Sequence, residues 1–372
     1  MGSKGLVVIY DPHNLYEFVW YYCNEGKSKK WDALCLPNAQ KGEYMHSYCE
    51  ASGIFDRIIR NDTGYESISS GKKLSMLASM FVSWVFGQRK AYCHRLLNRF
   101  VRLDEYDEIV IIADVGIVSG ACCALSEEKK VIILEDGIND YSERPRMIPK
   151  TKRRSLYSWQ GFLLALMGYC SPGWFYLKTN RDCIKYASQP EKMVYRNYRE
   201  IRQLYAEVGT DTVLFNELVR RLYPALNNYD LAHTDAVVLT RPLEDFVTQP
   251  DKYRQRLEQY IREHYSSILL KKHPREQASY DFGDNVAVSE IDNSIPAEAL
   301  LPYLVGKEIA VVTTSAIMIY MRAYSLQCRM ILFDGMFEES LHSNSKFRAM
   351  SSEEAKAFAE QYCAGSYEMV VI

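Results

Sequence analysis

The chain has no C-x-x-C pair, no glycine-rich dinucleotide fingerprint, no apolar run long enough to span a membrane, and almost no net charge. Each absence excludes something. Zinc sites and disulfide frameworks usually announce themselves as closely spaced cysteines. The ten cysteines here are spread from Cys23 to Cys363, so free thiols in a reducing cytosol are expected. A nicotinamide oxidoreductase is disfavoured because G-x-G-x-x-G does not follow the first strand. A formal net charge of −2 leaves no whole-protein footprint for nucleic acid. No charged-then-apolar leader opens the chain, and no run reaches the roughly 20 apolar residues of a spanning helix. A cytoplasmic location, with at most a peripheral hold on the inner face of the membrane, is therefore expected. Internal repeats and low-complexity tracts are absent too.

What is there fits a two-domain globular protein of 372 residues, with 48% hydrophobic and 25% charged residues. The 28 tyrosines suit polar ligands as well as cores. Short apolar runs alternate with helical stretches. Leu6–Tyr10 reads as a buried strand followed by Asp11-Pro12-His13-Asn14 and a helix from Leu15 to Cys23. Short elements follow at Trp31–Pro37 and Phe55–Arg60, then long helical material over residues 71–102. Ile109–Ala113 and Val131–Leu134 are clear strands, with a small-residue helix at Ser119–Leu125 between them. Residues 190–230 read as helical and charged. A second alternating set then runs through Ala236–Thr240, a helix at Lys252–Tyr265, Ile268–Leu270, Ile309–Val312, a helix at Ala316–Tyr324, Met330–Phe333 and a last helix at Ser352–Cys363. Strands alternating with helices predict parallel sheets. The reading is α/β, two Rossmann-like domains facing a central cleft, covering residues 1–229 and 230–372, with the last helix free to cross back.

The stretch 145–180 differs from its surroundings. Arg144, Arg146, Lys150, Lys152, Arg153 and Arg154 precede an aromatic and aliphatic run from Leu156 to Tyr176, broken by Ser171-Pro172-Gly173. It reads either as a helical hairpin packed on the first domain with a solvated basic end, or as a peripheral contact with an anionic membrane surface.

Four motifs carry chemistry. Ile268-Leu269-Leu270-Lys271-Lys272-His273-Pro274-Arg275 ends a buried strand in cations and a titratable imidazole. Pro274 cannot donate to a ladder and disfavours helix before it, so His273 belongs at a strand mouth, where open α/β sheets bind ligands. That chemistry suits a phosphate. Glu135-Asp136-Gly137 puts two acids at the carboxyl end of another buried strand, where they are costly unless solvated, paired or functional. Gly137 permits the turn that aims one of them, which could then take a proton from a sugar hydroxyl. Thr313-Thr314-Ser315 joins a strand to a helix and offers hydroxyls to a phosphate, or only caps that helix. Glu298 follows Pro296 in a first helical turn, placed to bond a ribose diol or simply to favour the helix end.

Taken in order, these pieces resemble the bacterial sialyltransferases and polysialyltransferases of the GT-B fold. Their acid-acid-Gly, His-Pro and Ser/Thr motifs match Glu135-Asp136-Gly137, His273-Pro274 and Thr313-Thr314-Ser315. The opening Tyr10-Asp11-Pro12-His13-Asn14-Leu15 and the loop Thr240-Arg241-Pro242 look like their counterparts as well. Thr-Thr-Ser departs from the two serines often seen, which leaves open which hydroxyl touches phosphate.

The resemblance implies an inverting transfer of sialic acid, or a related nonulosonic acid, from a CMP-activated donor to a hydroxyl of a bacterial glycan or glycolipid such as capsule or lipooligosaccharide. Asp136 or Glu135 would be the general base. His273 would donate to the departing CMP phosphate, Thr314 and Ser315 would hold it, and Glu298 would hold the ribose. Gly137, Lys272, Pro274, Thr313 and Asn14 complete the expected substrate contacts. No cofactor or metal is implied, and no Asp-x-Asp metal motif is present. The rivals are another GT-B enzyme, such as a CDP-polyol-phosphate or Kdo transferase, and an inactive membrane-associated binding protein of the same fold.

Overall fold

The computed structural model describes residues 3–36, 42–60, 70–112, 117–135, 182–193, 198–204, 212–230, 233–304, 307–313, 315–320, 326–342, 348–363 and 367–372. The chain divides into two compact units, residues 1–145 with 155–222, and residues 146–154 with 223–372.

Unit 1 is built on seven parallel strands: β1 (Lys4–Ile9), β2 (Lys30–Cys35), β3 (Phe55–Arg60), β4 (Glu108–Ile112), β5 (Lys130–Leu134), β6 (Ile184–Ala187) and β7 (Glu200–Gln203). Their order in the sheet is β3-β2-β1-β4-β5-β6-β7. The described helices are α1 (Pro12–Tyr21), α2 (Gly42–Ser52), α3 (Ser70–Val85), α4 (Arg89–Leu97), α5 (Ile117–Ala124) and α6 (Thr212–Leu222). Unit 2 has six parallel strands: β8 (Ala236–Leu239), β9 (Ser267–Lys271), β10 (Ala287–Glu290), β11 (Glu308–Val312), β12 (Gln327–Leu332) and β13 (Tyr367–Val371), in the order β10-β9-β8-β11-β12-β13. Helices α7 (Pro250–His264), α8 (Met336–His342) and α9 (Ser352–Tyr362) belong to it. Both sheets reverse their strand order in the same way, between β1 and β4 and between β8 and β11. Two such doubly wound, Rossmann-like units make the architecture GT-B.

The central strands form because they are nearly continuous apolar runs. Every residue of β4 and all but the first of β1 and β5 are buried, as expected for parallel strands covered on both faces. Gly5 is required where Trp31 of β2 crosses β1, since a Cβ there would sit 2.3 Å from the indole ring. Helix α1 starts three residues earlier than its apolar pattern suggested. Asp11 caps it by accepting from the Asn14 N–H at 3.0 Å, and Pro12 occupies the first turn. The long helical stretch of 71–102 is two helices, α3 and α4, parted at Gly87 with φ 68°.

Residues 190–230 are a correction. Among the described residues of this stretch, α6 and two short 3₁₀ turns are helical and β7 is a strand. β6 and β7 are four residues each, and β7 is a half-exposed edge of alternating charge, so neither produces an apolar run. Of the expected helix over Ala316–Tyr324, Ala316–Ile319 is a 3₁₀ turn of four residues, and 321–324 lie outside the described residues.

The amino ends of the unit 1 strands hold buried ion pairs. Asp32, fully buried, meets Lys4 at 2.8 Å, Arg57 at 3.0 Å and the Tyr106 hydroxyl at 2.7 Å. Glu108 binds Lys130 at 2.8 Å, the Tyr21 hydroxyl at 2.6 Å, and Lys29. Burial works to raise the Glu108 pKa, but those three donors together hold it below the usual carboxylate value. With its charge thus committed to stability, this end leaves ligand chemistry to the carboxyl ends. All nine described cysteines are buried thiols. Among the described residues no helix is long and apolar enough to cross a membrane. The basic cluster and aromatic run near 145–180 lie outside the described residues.

Candidate active site

At the carboxyl end of the unit 2 sheet, β8, β9 and β11 deliver Arg241, His273 and Thr313. The β8–β11 gap is the topological switch point, where a crevice opens because the flanking connections run to opposite faces. Arg241 spans that gap and donates from its guanidinium to the Thr313 Oγ1 at 3.1 Å. The guanidinium carbon lies 4.9 Å from the Phe246 ring centroid, a cation–π distance. Thr313 has φ 64° and is the one described non-glycine residue with positive φ. A β-branched residue held there costs about 1–3 kcal/mol, strain of the kind that concentrates at functional sites. A bond from the Thr313 N–H to the Ile331 carbonyl, at 2.8 Å, helps to hold it.

His273 to Glu276 form a tight turn, closed by the Glu276 N–H donating to the His273 carbonyl at 2.8 Å. Pro274 sits second in that turn, the position its fixed φ suits. The buried Glu276 carboxylate ties the turn to β8. It accepts from the Thr240 hydroxyl at 2.6 Å, from the His273 N–H at 3.3 Å, and from the Tyr280 hydroxyl. The His273 Nδ1 lies 3.2 Å from the Arg275 N–H. A backbone donor needs an acceptor, so the ring's proton belongs on Nε2. Burial, then the charges of Arg275 and Arg241, push the His273 pKa down to about 4, against a weaker opposing pull from Asp245. The imidazole is thus neutral at pH 7 and carries a donor, Nε2–H, in positive surroundings. Burial and Arg275 likewise lower Arg241 to about 10, which leaves it cationic at neutral pH. Arg275 forms an ion pair with Asp245 at 2.9 Å.

The other expected residues fall as follows. Lys272 is tied down structurally, 2.6 Å from Glu290 and 3.3 Å from the Ala278 carbonyl. Ser315 caps the short 3₁₀ turn by accepting from Ile317 at 3.4 Å. With one turn of helix behind it, this loop offers hydroxyls rather than a helix dipole. Glu298 is buried in the first turn of the 3₁₀ helix Ala297–Tyr303, between β10 and β11. Thr314 lies outside the described residues.

In unit 1, Glu135 directly follows β5 and is fully buried, and Ser188 after β6 donates to both its oxygens, from N–H and hydroxyl, at 2.6 Å each. Asp136 and Gly137 lie outside the described residues. Asn14 is buried in the first turn of α1, where its Oδ1 accepts from the Tyr10 N–H at 2.9 Å and fixes the β1–α1 loop.

The structure therefore bonds Arg241 to Thr313 and places its charge close enough to act on the His273 imidazole. Reading the sequence for sites counted Arg275 among the cations of the His-Pro stretch but passed over Arg241, Asp245 and Glu276 as site residues. One usable signal was Thr240-Arg241-Pro242, a cation directly after a buried strand. Glu276 had none, because a lone acid after His-Pro looks like any loop acid.

The family model described as alpha-2,8-polysialyltransferase matches residues 88–331, more than half of the chain. The chain belongs to the alpha-2,8-polysialyltransferase family. It is accordingly a glycosyltransferase of the sialyltransferase type, which acts with a nucleotide-sugar donor and a glycan acceptor. The match spans every candidate residue except Asn14. No curated protein matches the chain. Among solved structures, a UDP-N-acetylglucosamine 2-epimerase is similar at 11% identity and TM-score 0.50, covering 97% of this chain and 87% of its own. The glycosyltransferase SnogD from Streptomyces nogalater is similar at 13% identity and TM-score 0.44, covering 99% and 96%. The ADP-heptose LPS heptosyltransferase II of E. coli is similar at 8% identity and TM-score 0.40, covering 99% and 90%. At these identities the likeness concerns fold alone.

Proposed function

We propose that this polysialyltransferase-family protein is an inverting enzyme that moves sialic acid, or a related nonulosonic acid, from a CMP-activated donor to a hydroxyl of a cell-surface glycan. The observation that carries this reading is His273, a neutral imidazole whose Nε2–H stands in positive surroundings at the carboxyl end of β9, next to the β8 strand that borders the switch point. Such a donor stabilises charge developing on a leaving phosphate without first losing a proton of its own. Thr313, Thr314 and Ser315 would supply hydroxyls to the same phosphate, and Glu298 would take the ribose diol. An acid of the Glu135–Asp136 pair would accept the acceptor's proton. The hold of Ser188 on both oxygens of Glu135 supports giving that role to Asp136 and a positioning role to Glu135.

Calorimetry tests the donor. CMP is expected to bind more tightly than CDP, UDP or GDP, and clearly tighter UDP or GDP binding would refute the assignment. In this proposal an imidazole and hydroxyls take the leaving phosphate and no metal is required, so turnover in EDTA should equal turnover with magnesium.

A peripheral membrane location belongs to the same proposal. It rests on the basic cluster Lys150, Lys152, Arg153 and Arg154 and the aromatic run after it. The exposed Phe81, Val82, Trp84, Val85 and Phe86 at the end of α3 lend support. Basic residues near an anionic surface contribute about 1 kcal/mol each, so flotation with anionic liposomes should be strong at low salt and lost at high salt. No flotation at low salt would leave a hairpin packed on the protein as the reading of 145–180.

A further inference from the structure

We propose that the end of α3 is a bilayer-insertion element, which seats its aromatic tip in an anionic membrane while α4 holds the lipid headgroups. The inference rests on the peripheral-membrane reading above. It gives that contact a place in unit 1, separate from the basic cluster of 150–154.

The end of α3 is inside out. It presents Phe81, Val82, Trp84 and Val85 to solvent, and Phe86 follows them, 72% exposed. The residues of this stretch that face the protein are Met80 and Ser83. At 3.6 residues per turn, the four exposed apolar positions on the helix spread over roughly 160° of its circumference. A surface helix of a globular protein turns such a stripe toward the core. Nine large hydrophobics are exposed among the described residues, and five of them lie between Phe81 and Phe86. Single exposed apolar residues are ordinary, but a contiguous patch marks a surface that something covers.

The patch stands on a closed helix end. Met80 belongs to the same buried core as Cys93, Leu96 and Leu97 of α4. The chain turns at Gly87, φ 68°, where the Gln88 N–H donates to the Ser83 carbonyl at 2.7 Å and the Gly87 N–H to the Trp84 carbonyl at 3.1 Å. That pair of bonds is a Schellman closure, which satisfies the last carbonyls and fixes where the helix stops. The Phe81 and Trp84 rings lie 5.9 Å apart. The exposed side chains are therefore held as a group.

Charge decides the occupant. From Ser67 to Leu103 the sequence has seven lysines and arginines and no acid. Lys90 and His94 of α4 are engaged by Glu127 and Glu128, at 2.5 and 2.7 Å. Arg95 and Arg99 are exposed, and among the described residues no carboxylate pairs with either. A second copy docked through α3 would bring two such acid-free stretches together. An anionic bilayer takes both parts. Trp and Phe settle at headgroup level, and cations beside them bind anionic lipid.

Flotation of the full-length protein tests this, on phosphatidylcholine vesicles with and without phosphatidylglycerol. The wild type should float on the anionic vesicles at low salt and not on the neutral ones. Phe81→Ser combined with Phe86→Ser should lower partitioning roughly 10- to 100-fold. Arg95→Gln combined with Arg99→Gln should lower it roughly 10-fold. Both variants should melt like the wild type, because the altered side chains are exposed. Should either melt lower, Trp84 decides with the tip intact. The emission that Trp84→Phe removes should shift to the blue on anionic vesicles and be quenched by brominated lipid.

Flotation that survives both double substitutions, with Trp84 unquenched, would overturn the inference and leave the peripheral reading resting on 150–154. A wild type that does not float would overturn both. Equal flotation on neutral vesicles would remove the charge argument and overturn the proposed occupant. Lipid-free dimers in the ultracentrifuge that dissociate on Phe81→Ser with Phe86→Ser would give the face to a second copy instead.

Discussion

Replacing His273 by alanine should cut turnover by roughly 10²–10⁴-fold, the worth of a positioned donor at a leaving group. The melting curve should hardly move, because the turn around His273 is closed by backbone bonds and by Glu276, not by the imidazole. CMP binding should weaken as well, since a phosphate would lose the Nε2–H.

The same residue carries a pH signature. Its pKa lies near 4 rather than 6.5, so in the free protein the His273 ring should show no NMR titration near pH 6.5 and a midpoint near 4. Because the folded-state value is depressed, the unfolded chain takes up this proton first. The stability at stake is fully present above about 6.5 and is lost as pH falls toward 4. His273→Ala should remove that portion of the acid-induced loss. A ring that titrates at 6.5 would mean that burial and the charges of Arg275 and Arg241 do not act on it as described. Full activity in His273→Ala would rule out the transferase reading.

The acid pair should separate into two behaviours. Asp136→Asn keeps shape and removes a base, so turnover should fall by about 10²–10⁴-fold with CMP binding and melting unchanged. Glu135→Gln should behave differently. Ser188 offers donors to both Glu135 oxygens at 2.6 Å, and a glutamine turns one of those acceptors into a third donor. A buried donor left facing a donor costs about 1–3 kcal/mol, so this variant should melt lower, and its activity loss should follow its loss of folded protein. Should Glu135→Gln lose turnover at an unchanged melting point while Asp136→Asn keeps it, the base is Glu135, and Ser188 is its orienter.

The elements the sequence made legible are the ones that bury both faces. β1, β4, β5, β8, β9, β11 and β12 are apolar runs and stand out without any partner. β7 and β10 are short edge strands with exposed side chains. They are strands only because β6 and β9 offer them a ladder, a tertiary cause that no local pattern records. The site divides the same way. His273 could be placed at a strand mouth because Pro274 stops the strand, and Thr313 because it follows one. That Glu276 would hold the His-Pro turn against Thr240 depends on β8 and β9 being neighbours, and neighbours in a sheet are invisible to sequence spacing. Ser188 on Glu135 is a similar case, two residues 53 positions apart joined at the ends of β5 and β6.

CDP-polyol-phosphate and Kdo transferases share enough of this chemistry that mutants alone will not distinguish them. An inactive protein of the same fold would bind its nucleotide in vain or not at all. One assay decides among these readings: the purified protein incubated in EDTA with CMP-, CDP-, UDP- and GDP-activated donors and a sialylated glycan acceptor, with released nucleotide and acceptor mass both measured. The expected result is release of CMP from CMP-sialic acid, with one or more sialyl residues added to the acceptor and His273→Ala nearly silent. Release of UDP, GDP or a CDP-derived product in its place, or no release from any donor, would contradict the assignment.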